Sequence, residues 1–271
     1  MTLDYNLQNK TAVITGGSGI ICSVIAKEMA KKGVRVAVLG RQAEKAKAIA
    51  DEIRSEGGTA ISYGANVLEK ESLLEARDFV RKEFGDVDIL INGAGGNDTK
   101  ATTGEDLSFF DIKAENLKKV FDLNVTGAIL TTQVFGQMFT ETGNGCVVNI
   151  SSMAAYHPLT KTIAYSAAKA AVNNFTQWMA VHFNQNYSKK IRVNAIAPGF
   201  LLTSQNRFLM QHEDGSLTER GQSVLAKTPM GRFGEPEELV GAVLWLCSDA
   251  AAFVNGAVIP VDGGFSAYWG V

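Results

Sequence analysis

Short apolar runs alternate along this chain with longer segments of helical period. Residues 11–15 (TAVIT), 34–39 (VRVAVL), 60–63, 87–92 (VDILIN), 146–150, 191–196 and 257–261 are short and rich in Val, Ile and Ala. That is the pattern of strands buried on both faces. Between them, residues 20–32, 42–56, 70–84, 117–140 and 163–186 bring apolar positions round every three to four residues, as amphipathic helices do. Gly33 closes the first of these helices and Gly57-Gly58 the second, a residue type that ends helices at little steric cost. The alternation predicts an α/β fold: a single doubly wound parallel sheet of the Rossmann type, with about seven strands and helices on both faces. No Pro/Ser-rich linker interrupts it, so residues 1–271 read as one domain.

Composition narrows the function classes. The chain is 46% apolar and 20% charged, with a net charge of -2. No field of one sign is implied, which argues against nucleic acid or an anionic membrane as the main partner. Cys22, Cys146 and Cys247 are odd in number and far apart, and His157, His182 and His212 lack ligand spacing. Neither a disulfide framework nor a metal site is expected. The opening MTLDYNLQNK lacks the pattern of a signal peptide, and no apolar stretch is long enough to span a bilayer. A soluble, cytoplasmic protein is the expectation.

Candidate chemistry begins after the first strand, at Thr15-Gly16-Gly17-Ser18-Gly19-Ile20-Ile21-Cys22. A pyrophosphate needs a turn bare enough to approach, followed by a helix N-terminus whose N–H groups are unpaired. Gly17 and Gly19 fit a GxGxxG pattern, with Cys22 in place of the third glycine. A glycine-rich turn without a ligand would read alike, but the position between first strand and first helix favours a dinucleotide. At the end of the second strand, Gly40-Arg41 stands where an acidic residue would bond the ribose 2′-hydroxyl of NAD. Arg41 suits the 2′-phosphate of NADP, so NADP is expected with NAD as the alternative; a solvated loop cation would look the same.

A second constellation lies further on. Tyr165 and Lys169 are four residues apart at the start of a helical segment, which puts phenol and ammonium on one face. A neighbouring ammonium and an oxidised nicotinamide would both favour phenolate and bring a tyrosine toward its working range. Upstream, the strand Val147–Ile150 runs into Ser151-Ser152, at the carboxyl end where parallel sheets bind ligands. Either hydroxyl could polarise a substrate carbonyl, or cap the following turn.

With these residues in order, the sequence resembles the short-chain dehydrogenase/reductase family along essentially its whole length. The resemblance rests on the glycine-rich turn, Asn92-Gly93-Ala94-Gly95, Asn124, Ser152, Tyr165 with Lys169, Pro198-Gly199 with Thr203, and Val261-Asp262-Gly263-Gly264. It implies that Tyr165 exchanges the proton, Ser152 orients the carbonyl, and Lys169 holds the nicotinamide ribose and lowers the tyrosine pKa. Asn124 would place a water that relays protons from Lys169. Gly16, Gly17, Ser18, Gly19 and Ile20 would cradle the pyrophosphate, and Asn66 and Val67 the adenine. Asn92, Gly93 and Ala94 would pass under the adenosine ribose, while Pro198, Gly199 and Thr203 cover the nicotinamide. The later glycines of the family turn fall at Ile20 and Cys22 here, and Asn66 replaces the usual aspartate.

Within that family, residues 15–23, 95–97 with the insert 98–111, 198–210 and 264–271 resemble the D-mannonate oxidoreductases, or fructuronate reductases, of the short type. A sugar-acid substrate is implied, needing a cation for its carboxylate and polar groups for its hydroxyls. Arg207, Lys161 and Lys100 are candidates for the first, His157 and Asn97 for the second. Gluconate/5-ketogluconate or a 3-oxoacyl thioester are alternatives, and a catalytically silent cofactor-binding regulator is an alternative of another class. The resemblance implies a homotetramer built on the two long helices and the C-terminal segment. Residues 200–221, with Gly215 and Gly221 as hinges, are expected to form a substrate lid. Phe135, Met138, Phe139, Trp178 and Phe183 are left as core or subunit interface.

Overall fold

The computed structural model describes residues 5–204 and 206–270. Residues 1–4, position 205 in the expected lid and position 271 at the end of the C-terminal stretch lie outside the described residues. Seven parallel strands, β1 (Thr11–Thr15), β2 (Arg35–Gly40), β3 (Thr59–Gly64), β4 (Ile89–Asn92), β5 (Gly145–Ile150), β6 (Ile191–Pro198) and β7 (Val258–Val261), form one sheet in the order 3-2-1-4-5-6-7. The order reverses between β1 and β4, in register Ala12–Ile89 through Thr15–Asn92. A crevice opens beyond the carboxyl ends at such a reversal. The α/β, doubly wound reading of the sequence is therefore the observed architecture.

Strand side chains alternate between two cores. Ala12, Ile14, Val36, Val38, Ile91 and Val148 pack under α1 (Ile20–Lys31), α2 (Ala43–Ser55) and α9 (Val240–Cys247). Val13, Ala37, Leu39, Leu90, Val147 and Val193 pack under α3 (Lys70–Phe84), α5 (Gly127–Thr142) and α6 (Ile163–Asn186). This two-sided burial is why the strands read as continuous apolar runs instead of alternating ones. Phe135, Met138, Phe139 and Phe183 belong to the second core, whereas Trp178 is exposed.

The helix expected over 117–140 is longer and not uniform. α4 (Ala114–Phe121) passes through a wide turn, Asp122–Thr126, into α5. There the Gly127 N–H bonds the Asp122 carbonyl five residues back, the signature of a π-bulge. The insert after β4 contributes two short 3₁₀ turns, Thr99–Ala101 and Phe109–Asp111. Residues 200–221 carry α7 (Arg207–Met210) and the start of α8 (Glu219–Ala226), joined through an antiparallel bridge between Gln211 and Leu217. Gly215 is left-handed and open to space, as a hinge can be. Gly221 is not of that kind: it lies inside α8, and a Cβ there would sit 2.2 Å from the Met210 carbonyl oxygen. Close packing of α8 on α7 explains it.

Candidate active site

The turn between β1 and α1 is shaped by what it must avoid. Gly16 is left-handed, φ 61°, and a Cβ on it would come within 2.8 Å of the Ala94 nitrogen. The Gly17 N–H bonds the Leu39 carbonyl at 3.0 Å, and that of Gly19 closes back onto the Gly16 carbonyl at 2.8 Å. α1 then starts at Ile20 with no side-chain cap and no acidic residue in its first turn. Its leading N–H groups are thus left to an anion, which the helix dipole favours. The third position of the motif has a structural answer. A Cβ on Gly93 would lie 2.1 Å from the Cys22 sulfur, so the missing side chain has moved from the helix to the loop after β4. The Thr15 hydroxyl ties the two strand ends together, accepting from Gly93 N–H at 3.2 Å and Ala94 N–H at 3.3 Å.

Facing this turn across a cleft of about 390 Å³ are Ser152, Tyr165 and Lys169. Gly16, Gly19, Ile20, Gly93, Pro198, Gly199 and Thr203 line the same cleft. β5 delivers Ser151 and Ser152 at its carboxyl end. The Ser151 hydroxyl binds the Asn173 side chain in α6, while Ser152 caps the next 3₁₀ turn by accepting from Ala154 N–H at 3.1 Å. The Ser152 hydroxyl thus caps the turn and also lines the cleft. Lys169 is buried, and its Nζ donates to the Ile150 carbonyl at 2.8 Å. That Nζ lies 5.6 Å from the centre of the Tyr165 ring.

Electrostatics here differ from the expectation. Burial pushes the Tyr165 phenol up, with a hydrogen bond to Ser152 acting the other way. The Lys169 ammonium lies over the ring and donates to the Ile150 carbonyl, with no direct bond to the hydroxyl among the described contacts. Lys169 itself is held down at about 8 by burial. The Cys22 thiol nearby is raised by burial to about 12, so it stays neutral.

Asn124 sits in the π turn for a visible reason. Its amide donates to the Val120 carbonyl at 2.8 Å, replacing a backbone donor of the α-helical ladder, and to the Gly96 carbonyl at 2.7 Å. Its oxygen accepts from Gly96 N–H at 3.1 Å. A Cβ on Gly95 would meet both this oxygen, at 2.7 Å, and Lys169 Nζ, at 3.2 Å. Asn124 therefore pins the loop that walls in Lys169. Asn92 is buried behind the cleft and donates to Thr132 and Asn149 at 2.9 and 2.8 Å, bracing β4 against β5 and α5.

The remaining sequence candidates are spread more widely over the fold. Asn66 opens α3: its side-chain oxygen accepts from Leu68 N–H and its amide donates to Glu69. Val67 packs against Gly127. Gly40 has Ser18 against it, so Ser18 bridges the turn to the β2 end, where exposed Arg41 enters no ion pair among the described residues. Thr203 N–H and hydroxyl both bond Asn206 Oδ1, at 2.8 and 3.0 Å. The structure does not bring Asn97, Lys100, His157, Lys161 or Arg207 to the cleft wall. Asn97 bonds Thr102 and Arg207 bonds Gln211. His157 contacts Phe265 and Trp269 edge-on, and Lys161 lines a separate hollow with Phe109 and Pro158. Two cations line the cleft, Lys169 and, from the first turn of α8, Arg220. No motif marked Arg220; only its place in the lid segment could have.

The bare turn, uncapped helix and glycines set against one another make a cradle whose free N–H groups suit the pyrophosphate of a dinucleotide. Among the described residues no group of acidic, histidine or cysteine side chains could hold a metal, and no helix is long and apolar enough to cross a membrane. Comparison with known proteins agrees with the cradle. Residues 18–266 match the family model described as enoyl-(acyl carrier protein) reductase. An uncharacterised oxidoreductase of Bacillus subtilis, UxuB, is 51% identical over 99% of both proteins. The D-threitol dehydrogenase of Mycolicibacterium smegmatis is 34% identical over 97% of this protein and 95% of its own length. A crystal structure from Haemophilus influenza with bound NAD, provisionally described as a D-mannonate oxidoreductase, superposes with TM-score 0.92 at 49% identity over 98% of both proteins. A fold, a cleft and relatives that agree over the full length place the protein in the short-chain dehydrogenase/reductase family, as an NAD(P)-dependent oxidoreductase acting on CH–OH groups.

Proposed function

We propose that the protein interconverts a sugar-acid alcohol and its ketone, D-mannonate and D-fructuronate, within a single domain spanning residues 1–271. The observation that carries this is the joint presence of Ser152, Tyr165 and Lys169 on one wall and the phosphate turn on the other. The near-full-length likeness to the Haemophilus protein supports the substrate. Bound NAD(P) supplies the hydride acceptor or donor. Tyr165 takes the alcohol proton during oxidation, or gives it to the carbonyl oxygen during reduction. Ser152 donates to that oxygen and steadies its developing charge. Lys169, titrating at about 8, holds the nicotinamide ribose and can pass a proton on at neutral pH. Asn124 keeps the adjoining loop in place and offers one remaining acceptor site for a relay water.

In the cradle, Gly16, Gly17, Ser18, Gly19 and Ile20 would hold the pyrophosphate, and Asn66, Val67, Asn92, Gly93 and Ala94 the adenosine side. Pro198, Gly199 and Thr203 would cover the nicotinamide. Arg41, exposed and outside any ion pair among the described residues, favours NADP; the NAD held by the 49% identical neighbour makes NAD the competitor. The reading extends to a cytoplasmic homotetramer packed through α5, α6 and the C-terminal segment, supported by exposed Trp178, Val181, Phe253 and Trp269. Sedimentation tests the assembly. A panel of hexonates, hexuronates, polyols and 3-oxoacyl thioesters, followed at the nicotinamide absorbance with both cofactors, tests the substrate. Turnover confined to polyols or thioesters would reject it.

A further inference from the structure

The cleft wall carries a charge imbalance. No Asp or Glu is found among its described lining residues, while two strong cations are: Lys169 and Arg220. Lys169 is buried, donates to the Ile150 carbonyl and has the nicotinamide ribose as its proposed partner. Arg220 is exposed, and its guanidinium enters no hydrogen bond or ion pair among the described residues. Of the other charged lid residues, Arg207 bonds Gln211 and Asp214 bonds Ser216, while Glu213 and Glu219 lie outside the cleft lining. The Asn206 side chain, on the same wall, spends its oxygen on Thr203 and its amide on the Leu201 carbonyl. Arg220 is thus the strong donor left at that end of the cleft.

Its backbone is held firmly. The Thr218 hydroxyl caps α8 by accepting from Gly221 N–H at 3.0 Å, and it donates to the Leu209 carbonyl at 2.8 Å. Gly221 lies directly on the Met210 carbonyl. Met210, Val224 and Phe233 form a small core with Phe200, Leu202 and Leu217. α7 and α8 therefore form one packed unit that sets Arg220, Leu209 and Met210 on the cleft wall.

Resting on the sugar-acid reading above, we infer that Arg220 binds the substrate's carboxylate and sets a preference for hydroxy and keto acids over their neutral counterparts. The guanidinium fork matches a carboxylate in two parallel bonds. An unbalanced cation in a cleft without acids also repels no part of such an anion.

The test compares wild type, Arg220→Gln, Arg220→Lys and Arg207→Ala on the best acid of the panel and on its primary amide. Cofactor affinity is titrated in parallel by nicotinamide fluorescence. Losing one partner of a charge pair in a desolvated site lowers kcat/KM by about 30-fold or more. Arg220→Gln should show that loss on the acid, mostly in KM, and change the amide by less than about threefold. Arg220→Lys should recover part of it, and Arg207→Ala should do little. Cofactor affinity should stay within about twofold, which also reports that the variants fold. Equal losses on acid and amide, a matching fall in cofactor affinity, or no loss would overturn the inference alone. A wild type that turns over polyols and no acid would overturn the sugar-acid reading and this inference with it.

Discussion

Lys169→Met deletes a buried charge while keeping most of the side chain's length. Burial holds the lysine at about 8 against an ordinary 10.5. At about 1.4 kcal/mol per pH unit, keeping that ammonium inside the protein costs about 3 kcal/mol at pH 7. The substitution also leaves the Ile150 carbonyl without its 2.8 Å donor, at a cost of about 1–3 kcal/mol for an unmet buried acceptor. The variant should therefore be inactive yet about 1 kcal/mol more stable at pH 7, or roughly 2 °C in Tm. The sign of the pH dependence is the sharper signature. Between about pH 8 and 10.5 the unfolded lysine still holds a proton that the folded one has lost, so the Lys169 contribution to wild-type stability climbs with pH. The Met variant lacks that slope, and its advantage should vanish and reverse by about pH 10.5. Cys22, raised to about 12, lowers stability above about pH 9, but both proteins carry it and its effect falls out of their difference. Denaturant unfolding of both proteins, at one protein concentration and at about pH 7 and pH 10, measures the difference. A gap that is the same at both pH values would refute the claim that a buried ammonium is carried at neutrality.

Tyr165→Phe should lower kcat by about 10²–10⁴ with cofactor affinity unchanged, the range for losing a general acid/base; retained turnover would end the assignment. Gly93→Ala should destabilise by about 1–3 kcal/mol through overpacking against the Cys22 sulfur. Cys22→Ala in the same protein should restore most of that in a melting experiment. A double variant as unstable as the single one would shift the blame to the Thr15 carbonyl, 2.8 Å from the same Cβ. Arg41→Ala should raise KM for NADP about tenfold, the loss expected for one charge-assisted contact, and leave NAD unchanged; equal effects on both would remove Arg41 from the cofactor site.

Much of this protein is legible in its sequence because the relevant geometry is local. Val/Ile runs such as TAVIT and VDILIN mark strands whatever they pair with, and Tyr165 and Lys169 share a face because α6 sets a four-residue spacing. The glycine turn is local in the same sense, since Gly16 must be left-handed for the backbone to enter α1. What escaped depends on which side chains meet across elements. Cys22 looked like a defect in the glycine pattern until Gly93, far along the sequence, proved to be the bare partner. Lys169 was expected to loosen the Tyr165 proton directly, but the packing of α6 on β5 turns its Nζ to a carbonyl and buries it. Arg207, Lys161 and Lys100 are the cations the sequence offers for a carboxylate, while the packing of α7 on α8 sets Arg220 on the cleft wall. Period and spacing determine backbone form and the face a residue occupies. The neighbour it finds there, and so its charge state and its ligand, is decided only when distant segments pack.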